Sequence, residues 1–112
     1  MKETLHLMVV DDELGMRLSV ERALRNYTTW FEDIEAEVSY RITLADSGEA
    51  ALDLLAVDPA DILLLDYKLP GISGLEVLQT LAERKSETLV VMITAYASLE
   101  TAVQATKVSR LA

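Results

Sequence analysis

The sequence predicts an α/β fold in which a parallel β-sheet carries helices on both faces. Three apolar runs of strand length are nearly continuous rather than alternating, which is typical of strands covered on both sides; they are residues 5–10, 62–65 and 89–93. Amphipathic helical patterns separate these runs, and the element order β-α-β-α-β-α-β-α favours parallel strands joined by right-handed crossovers.

The first helix is predicted from an apolar stripe on one helical face, formed by Met16, Val20, Ala23, Leu24 and Tyr27. Residues 40–45 alternate weakly between polar and apolar side chains, as an edge strand does. Asp46 is then expected to cap a second helix with Glu49 three residues later. The inward face of that helix is expected to hold Ala51, Leu54 and Leu55.

Two further helices complete the alternation. The third is predicted from a stripe formed by Leu75, Leu78, Leu81 and Ala82. Ser98 is expected to cap a fourth helix that runs to about Val108, with the small residues Ala102 and Ala105 on its face.

Composition narrows the class of protein. The 112 residues, 51% apolar and 26% charged, predict one globular domain. No cysteine is present, which excludes thiol chemistry and fits a cytoplasmic location. The net charge of −9 opposes direct nucleic-acid binding and suits cations or basic partners. No signal-peptide pattern or membrane-length apolar run occurs, so no membrane association is expected.

Three carboxylates follow the predicted strands. Asp11 and Asp12 come directly after the first strand, Asp66 ends the third, and Thr94 follows the fourth. Parallel strands bring these side chains to one edge of the sheet, where ligand sites form in such folds. Crowded carboxylates repel one another unless a proton or cation joins them. Oxygen ligands alone favour a hard cation such as Mg²⁺, and a carboxylate can attack a phosphoryl group.

A plainer interpretation is that these aspartates cap helix N-termini, a common role for Asp after a strand. Capping explains one such residue well and three at the same edge poorly. Glu13 is the weaker candidate, since an acidic residue near a helix N-terminus is favoured by the helix dipole alone.

The segments VVDDE, ILLLDYKLPGISGLEVL and VVMITAYASLETAVQATK together resemble the receiver domain of bacterial response regulators. The resemblance covers nearly the whole chain, and its last segment is most similar to receivers of nitrogen-regulation-type AAA+ transcriptional activators. It implies a flavodoxin-like (CheY-like) fold and phosphoryl transfer from a sensor histidine kinase to Asp66. The domain would assist its own phosphorylation and dephosphorylation without turning over a separate substrate, so it is not expected to be an enzyme.

The resemblance also implies roles for individual residues. Asp11 and Asp12 match the acidic pair that binds Mg²⁺ together with Asp66. Lys68 matches the position whose main-chain carbonyl completes the metal site. Thr94 matches the switch hydroxyl, which pulls its loop toward the phosphoryl group and changes the surface of the fourth helix.

The sequence departs from the family pattern at its C-terminal end. Family members continue into a fifth strand and a fifth helix, whereas this chain ends at Ala112. The fifth strand carries a lysine that pairs with the phosphoryl group. Residues 1–112 are therefore expected to form one receiver domain that is incomplete at the C-terminus. An uncovered strand edge is a template for pairing, so a homodimer, an oligomer with exchanged elements or marginal stability is expected.

A second departure is the long segment 26–40 between the first helix and the second strand. It contains the chain's only Trp and Phe, Trp30 and Phe31. We expect these aromatics to cover the end of the first helix, with contact to a partner as the alternative. His6, the only histidine, is expected to be structural and far from the acidic edge.

Two other functions compete with phosphoryl acceptance. One is a dimerisation or scaffold module whose phospho-switching is impaired because the fifth-strand lysine is absent. The other is an aspartate-dependent phosphohydrolase of the haloacid-dehalogenase kind. Phosphohydrolases of this kind use a second Asp two residues after the nucleophile, where this chain has Lys68. The phosphohydrolase hypothesis therefore ranks well behind phosphoryl acceptance.

Overall fold

The computed structural model describes residues 1–93. Its elements, in chain order, are strand β1 (Lys2–Val10), helix α1 (Leu14–Leu24), strand β2 (Thr29–Phe31), a 3₁₀ turn (Glu32–Ile34), strand β3 (Ala36–Ala45), helix α2 (Gly48–Val57), strand β4 (Ile62–Asp66), helix α3 (Gly74–Glu83) and strand β5 (Leu89–Ile93). The predicted fourth helix and Thr94 lie outside the described residues.

The strands form one sheet in the order β2-β3-β1-β4-β5. Strands β3, β1, β4 and β5 are parallel, and β2 pairs antiparallel with β3. Val10 is in register with Ala45 on one side and Leu65 on the other. The carboxyl ends of the three inner strands therefore lie side by side. This mostly parallel sheet with its helices is the predicted flavodoxin-like architecture.

The core lies on the sheet face that helices α2 and α3 cover. Its members are Met8, Val10, Ala45, Ala51, Leu52, Leu55, Ala60, Leu63, Leu65, Leu69, Val77 and Leu81. Met8, Leu63 and Val77 are fully buried. Burying side chains of this size contributes about 1.5–3 kcal/mol each, so this face supplies much of the stability.

Helix α1 is less covered than its apolar stripe predicts. It has no buried residue, and Met16 and Tyr27 are 43% and 51% exposed. Tyr27 stacks on Tyr40 of β3 with ring centroids 6.2 Å apart. Of the five residues in the predicted stripe, only Val20 and Leu24 are half-buried, and Tyr27 lies beyond the end of the helix, so the predicted stripe is confirmed only in part.

Two details of the second crossover differ from the sequence prediction. Ser47, not Asp46, caps helix α2, because its side chain accepts the N–H of Ala50 at 3.1 Å. Leu54 is 42% exposed rather than inward-facing. Strand β3 begins before the predicted segment, and β2 pairs only with its residues 36–38, so residues 40–45 have no outer neighbour among the described strands, as the edge-strand pattern predicts.

The segment with the aromatic residues forms the outermost strand on one side of the described sheet. Trp30 and Phe31 belong to β2, where Trp30 is opposite Glu37 and Phe31 opposite Ala36. Their exposed fractions are 56% and 45%. Antiparallel pairing with β3 holds both residues at the sheet edge with about half of each exposed, and the expectation that they cover the end of helix α1 stays a prediction.

His6 is structural, as the sequence predicts. It is 4% exposed and lies four positions before the carboxyl end of β1. Its Nδ1 donates to the carbonyl of Pro59 at 2.9 Å, and Nε2 lies 2.7 Å from the hydroxyl of Thr43. Both ring nitrogens therefore have partners, which satisfies the polar atoms of a buried histidine.

Strand β5 lies at the other end of the described sheet. Leu89, Val91 and Ile93 point to one face and are 61%, 41% and 39% exposed. Among residues 1–93, no helix is long and apolar enough to cross a membrane.

Candidate functional site at the acidic end of the sheet

Three aspartates meet where strands β1 and β4 end. Asp11 and Asp12 follow the last residue of β1, and Asp66 is the last residue of β4. One carboxylate oxygen from each lies within 4.8 Å of the others. The structure thus brings together the three carboxylates that the sequence predicts, since parallel neighbours in register end at the same edge.

Asp11 is held by three hydrogen bonds of different kinds. Its main-chain N–H continues the sheet ladder to the carbonyl of Ala45 at 3.1 Å. Its carboxylate accepts the N–H of Glu13 at 2.8 Å, and its carbonyl accepts Nη1 of Arg17 at 2.7 Å. Asp11 is only 8% exposed, so its carboxylate points into the site with little freedom.

Asp66 is partly buried and its carboxylate accepts the N–H of Lys68 at 3.1 Å. Burial raises the pKa of Asp66 above its ordinary value, because desolvation disfavours the charged form. The charges of Asp11 and Asp12 raise this pKa further, whereas the Lys68 N–H opposes the shift. The Asp66 carboxylate therefore gains from any cation bound beside it.

The capping interpretation does not describe these aspartates. The N-cap residue of helix α1 is Glu13, whose side chain makes no cap hydrogen bond. Helix α3 is capped by Ser73, which forms a reciprocal capping box with Glu76. Asp11 and Asp66 instead accept the N–H two residues later, which shapes the local turns.

The loop after Asp66 is closely packed. Leu69 is buried, and Gly71 has φ +75°, a left-handed conformation that favours glycine. The next residue, Ile72, donates its N–H to Oε1 of Glu49 in helix α2 at 2.7 Å. The loop is therefore tied to a second helix and does not depend on strand β4 alone.

Gly74, the first residue of helix α3, allows a close approach to the site. A Cβ atom at this position would overlap the main-chain carbonyl oxygen of Asp66 and lie 2.9 Å from Cα of Tyr67. The Gly74 N–H donates to the Tyr67 carbonyl at 3.0 Å. Glycine is required here by space, and not only by the flexibility that the sequence indicates.

The donor set fits a hard divalent cation. Mg²⁺ binds oxygen ligands at about 2.1 Å, so two ligands on opposite sides of it are roughly 4.2 Å apart. Oxygens within 4.8 Å of one another need to close by less than an ångström to share such an ion. Asp12 is exposed, which leaves that side of the cluster open to solvent and phosphate oxygens.

Sequence reasoning did not find the contacts that Arg17 and Glu49 make at this site. The capping pattern assigns Glu49 to Asp46, whereas its carboxylate accepts the N–H of Ile72. Arg17 belongs to no recognisable motif. The only available signal for Arg17 is its place on the first turns of the helix that follows Asp11 and Asp12. The Lys68 N–H donates to Asp66, while the metal-binding role of its main-chain carbonyl stays a prediction. Thr94 lies outside the described residues.

A cavity of about 560 Å³ lies elsewhere, lined by residues that include Pro59, Asp61, Arg84 and Thr88. It is at the end of β4 opposite Asp66. Three of its polar side chains already have internal partners: Asp61 accepts the N–H of His6, Arg84 donates to the Leu52 carbonyl, and Thr88 donates to the Ala60 carbonyl. The acidic end therefore remains the better candidate site.

Comparison with known proteins identifies the family. The family described as "Response regulator receiver domain" matches residues 7–110. The chain is 37% identical over 100 residues to the response regulator protein PilR of Pseudomonas aeruginosa, covering 89% of this chain and 20% of PilR. It is 33% identical over 101 residues to the regulatory protein AtoC of Escherichia coli, covering 88% of this chain and 19% of AtoC. The chain thus spans about a fifth of the length of these relatives.

Solved structures agree on the fold. The signal receiver domain of a putative LuxO repressor protein from Vibrio parahaemolyticus superposes with a TM-score of 0.80 at 21% identity, covering 94% of this chain and 72% of that one. The chemotaxis protein CheY4 of Vibrio cholerae gives a TM-score of 0.77 at 21% identity, with coverage of 94% and 80%. At this identity the likeness supports the fold alone. Together with the family match, it shows that the chain belongs to the response regulator receiver domain family and resembles the receivers of NtrC-type transcriptional regulators.

Proposed function

We propose that the chain accepts a phosphoryl group on Asp66 from a sensor histidine kinase and thereby switches a transcriptional output. The observation that carries this proposal is the cluster of Asp11, Asp12 and Asp66, with carboxylate oxygens within 4.8 Å of one another at the carboxyl end of the sheet. Asp66 is the member at the strand end, and its raised pKa marks a carboxylate that a cation would stabilise. Family membership supports the same reaction class.

In the proposed step, an Asp66 carboxylate oxygen attacks the phosphorus of the kinase's phosphohistidine. An O–P bond to Asp66 forms as the P–N bond to the imidazole breaks, and the imidazole takes the electron pair and then a proton. The product is an acyl phosphate on Asp66. Asp66 itself needs no proton acceptor, because it attacks as the carboxylate.

We propose that the oxygens of Asp11, Asp12 and Asp66 hold Mg²⁺, with the main-chain carbonyl of Lys68 as a further ligand. When bound, Mg²⁺ would neutralise charge on the carboxylates and on the transferring phosphoryl oxygens. Asp11 contributes a carboxylate already oriented by the Glu13 N–H. Asp12 is exposed and can turn toward the ion without breaking a contact among the described residues.

Thr94 is proposed as the switch hydroxyl that donates a hydrogen bond to the added phosphoryl group. It directly follows Ile93, whose carbonyl accepts the Tyr67 N–H at 3.1 Å. This contact supports the proposal, because it connects the end of β5 to the residue next to Asp66. The receiver does not turn over a separate substrate in this account, and a kinase partner implies a cytoplasmic location.

The test is intact-mass spectrometry after incubation with Mg²⁺ and acetyl phosphate. We expect one added phosphoryl group on the wild-type chain and none on Asp66→Asn. Asp53→Asn is the matched control, because Asp53 is an exposed carboxylate on helix α2, and it should be modified like the wild type. Equal phosphorylation of Asp66→Asn and the wild type would contradict the proposal.

A second proposal concerns association with another copy of the chain. Strand β5 is an outer strand of the described sheet, and it exposes Leu89, Val91 and Ile93. Such an edge favours pairing, so we propose a homodimer or an oligomer with exchanged elements. Light scattering across a concentration series should show mass above that of one chain; a monomer at every concentration would contradict it.

A further inference from the structure

We infer that Arg17 is a positioning residue that presets the Asp11–Asp12 turn for cation binding. The inference rests on the proposed metal centre and extends it to a side chain outside the carboxylate cluster. Arg17 lies on helix α1 and donates from Nη1 to the main-chain carbonyl of Asp11 at 2.7 Å. It therefore acts on the metal ligands through the backbone.

The contact occurs where the regular sheet ladder stops. Strand β1 ends at Val10, and the last ladder-like bond is donated by the Asp11 N–H to Ala45. The Asp11 carbonyl comes after this point, and the Arg17 guanidinium supplies its hydrogen-bond partner. Since Asp11 is buried, a carbonyl left without a partner there would be costly.

The contact also closes a ring of local bonds. The Asp11 carboxylate accepts the N–H of Glu13, and the carbonyl of Glu13 accepts the N–H of Arg17 at 3.1 Å. The Arg17 side chain then returns to Asp11. This ring fixes the direction in which the chain leaves β1, and therefore where the carboxylates of Asp11 and Asp12 point.

Arginine suits this position, because its rigid planar fork loses less freedom per hydrogen bond than the flexible lysine chain. Removing an outer partner that orients a metal ligand typically weakens metal affinity by about 10- to 100-fold.

The experiment measures Mn²⁺ affinity by electron paramagnetic resonance on the full chain, without a phosphodonor. Arg17→Ala should raise the Kd for Mn²⁺ about tenfold, and Arg17→Lys should recover part of this loss. Arg25→Ala is the matched control, because Arg25 follows the same helix and pairs only with Glu21 at 2.9 Å among the described residues. We expect its Kd to equal that of the wild type.

The outcomes separate the inference from the proposed function. One outcome is that the wild type binds Mn²⁺, Asp11→Asn does not, and folded Arg17→Ala binds with the affinity of the wild type. The proposed metal centre is then supported, but Arg17 is merely structural and the inference is overturned. If the wild type fails to bind Mn²⁺, both the inference about Arg17 and the proposed metal centre are contradicted. If circular dichroism shows Arg17→Ala unfolded, Arg17→Gln decides: weaker binding supports the inference and wild-type binding overturns it.

Discussion

The carboxylate of Glu49 in helix α2 accepts the main-chain N–H of Ile72 at 2.7 Å, twenty-three residues further along the chain. This hydrogen bond ties the loop after Asp66 to a helix on the same face of the sheet. Gly71, in its left-handed conformation, brings the backbone against that carboxylate. The position of the loop beside Asp66 therefore depends on a residue far from it in sequence.

Glu49→Ala should loosen this loop without unfolding the domain. The Ile72 N–H loses its partner, so its amide hydrogen should exchange faster, by about tenfold for a loss near 1.4 kcal/mol. Asp53→Ala, an exposed change on the same helix, should leave that exchange rate unaltered. Hydrogen exchange followed by NMR measures both, and unchanged Ile72 exchange in Glu49→Ala would show that the contact does not restrain the loop.

Gly74→Ala should destabilise the domain, because its Cβ would overlap the Asp66 carbonyl oxygen. Overpacking of this kind costs about 1–3 kcal/mol. Gly15→Ala is the matched control, since no atom lies within 4 Å of a Cβ built there. In helix α1 that change should stabilise by roughly 0.5–1 kcal/mol. Urea unfolding of both variants checks the prediction, which fails if the two changes shift the midpoint alike.

Stability without a metal should depend on pH through Asp66, whose pKa is raised in the folded chain. Between its ordinary pKa and the raised value, the folded state holds a proton that the unfolded state has lost. The free energy of unfolding contributed by Asp66 therefore falls as pH rises through that window and stays low above it. Asp66→Asn should remove this fall and be more stable than the wild type at neutral pH.

The comparison must use the difference between the two proteins, because other carboxylates titrate as well. The hydrogen bond from Arg41 lowers the pKa of Asp58. Asp58 therefore contributes to the free energy of unfolding with the opposite pH dependence, and its contribution is lost as pH falls. Asp58 is present in both proteins and cancels in the difference. Urea unfolding from pH 3 to pH 8 measures the difference in the free energy of unfolding between Asp66→Asn and the wild type. A difference that does not change with pH would contradict the predicted role of Asp66.

Mg²⁺ should stabilise the wild type by binding only the folded state. At a concentration of 100 times Kd, the expected gain is about 2.7 kcal/mol. Asp11→Asn should lose most of this gain, because it removes the most buried of the three carboxylates. Thermal melts with Mg²⁺ and after chelation provide the measurement. An equal rise in Tm for Asp11→Asn would place the ion elsewhere.

The strands that build the site were predictable from sequence because buried parallel strands must be continuously apolar. Residues 5–10 and 62–65 satisfy that requirement, so Asp11 and Asp66, which follow them, could be placed at one edge of the sheet. Strand β2 was not predictable, since its three residues carry no periodic signal and their pairing depends on the turn before β3.

Contacts that support the site were beyond sequence reasoning for a different reason. The partners of Arg17 and Ile72 are a main-chain carbonyl and a distant carboxylate, and a periodic pattern contains no information about either. The apolar stripe of α1 likewise does not show how far each of its residues is covered in the fold. Met16 and Tyr27 remain partly exposed.

The most direct test of the central claim locates the phosphoryl group within the chain. After incubation with Mg²⁺ and acetyl phosphate, borohydride reduction converts an aspartyl phosphate to homoserine, and peptide mass spectrometry then reads its position. We predict homoserine at position 66 alone, and none when Mg²⁺ is chelated. Homoserine at position 11 or 12 with Asp66 unchanged would contradict it.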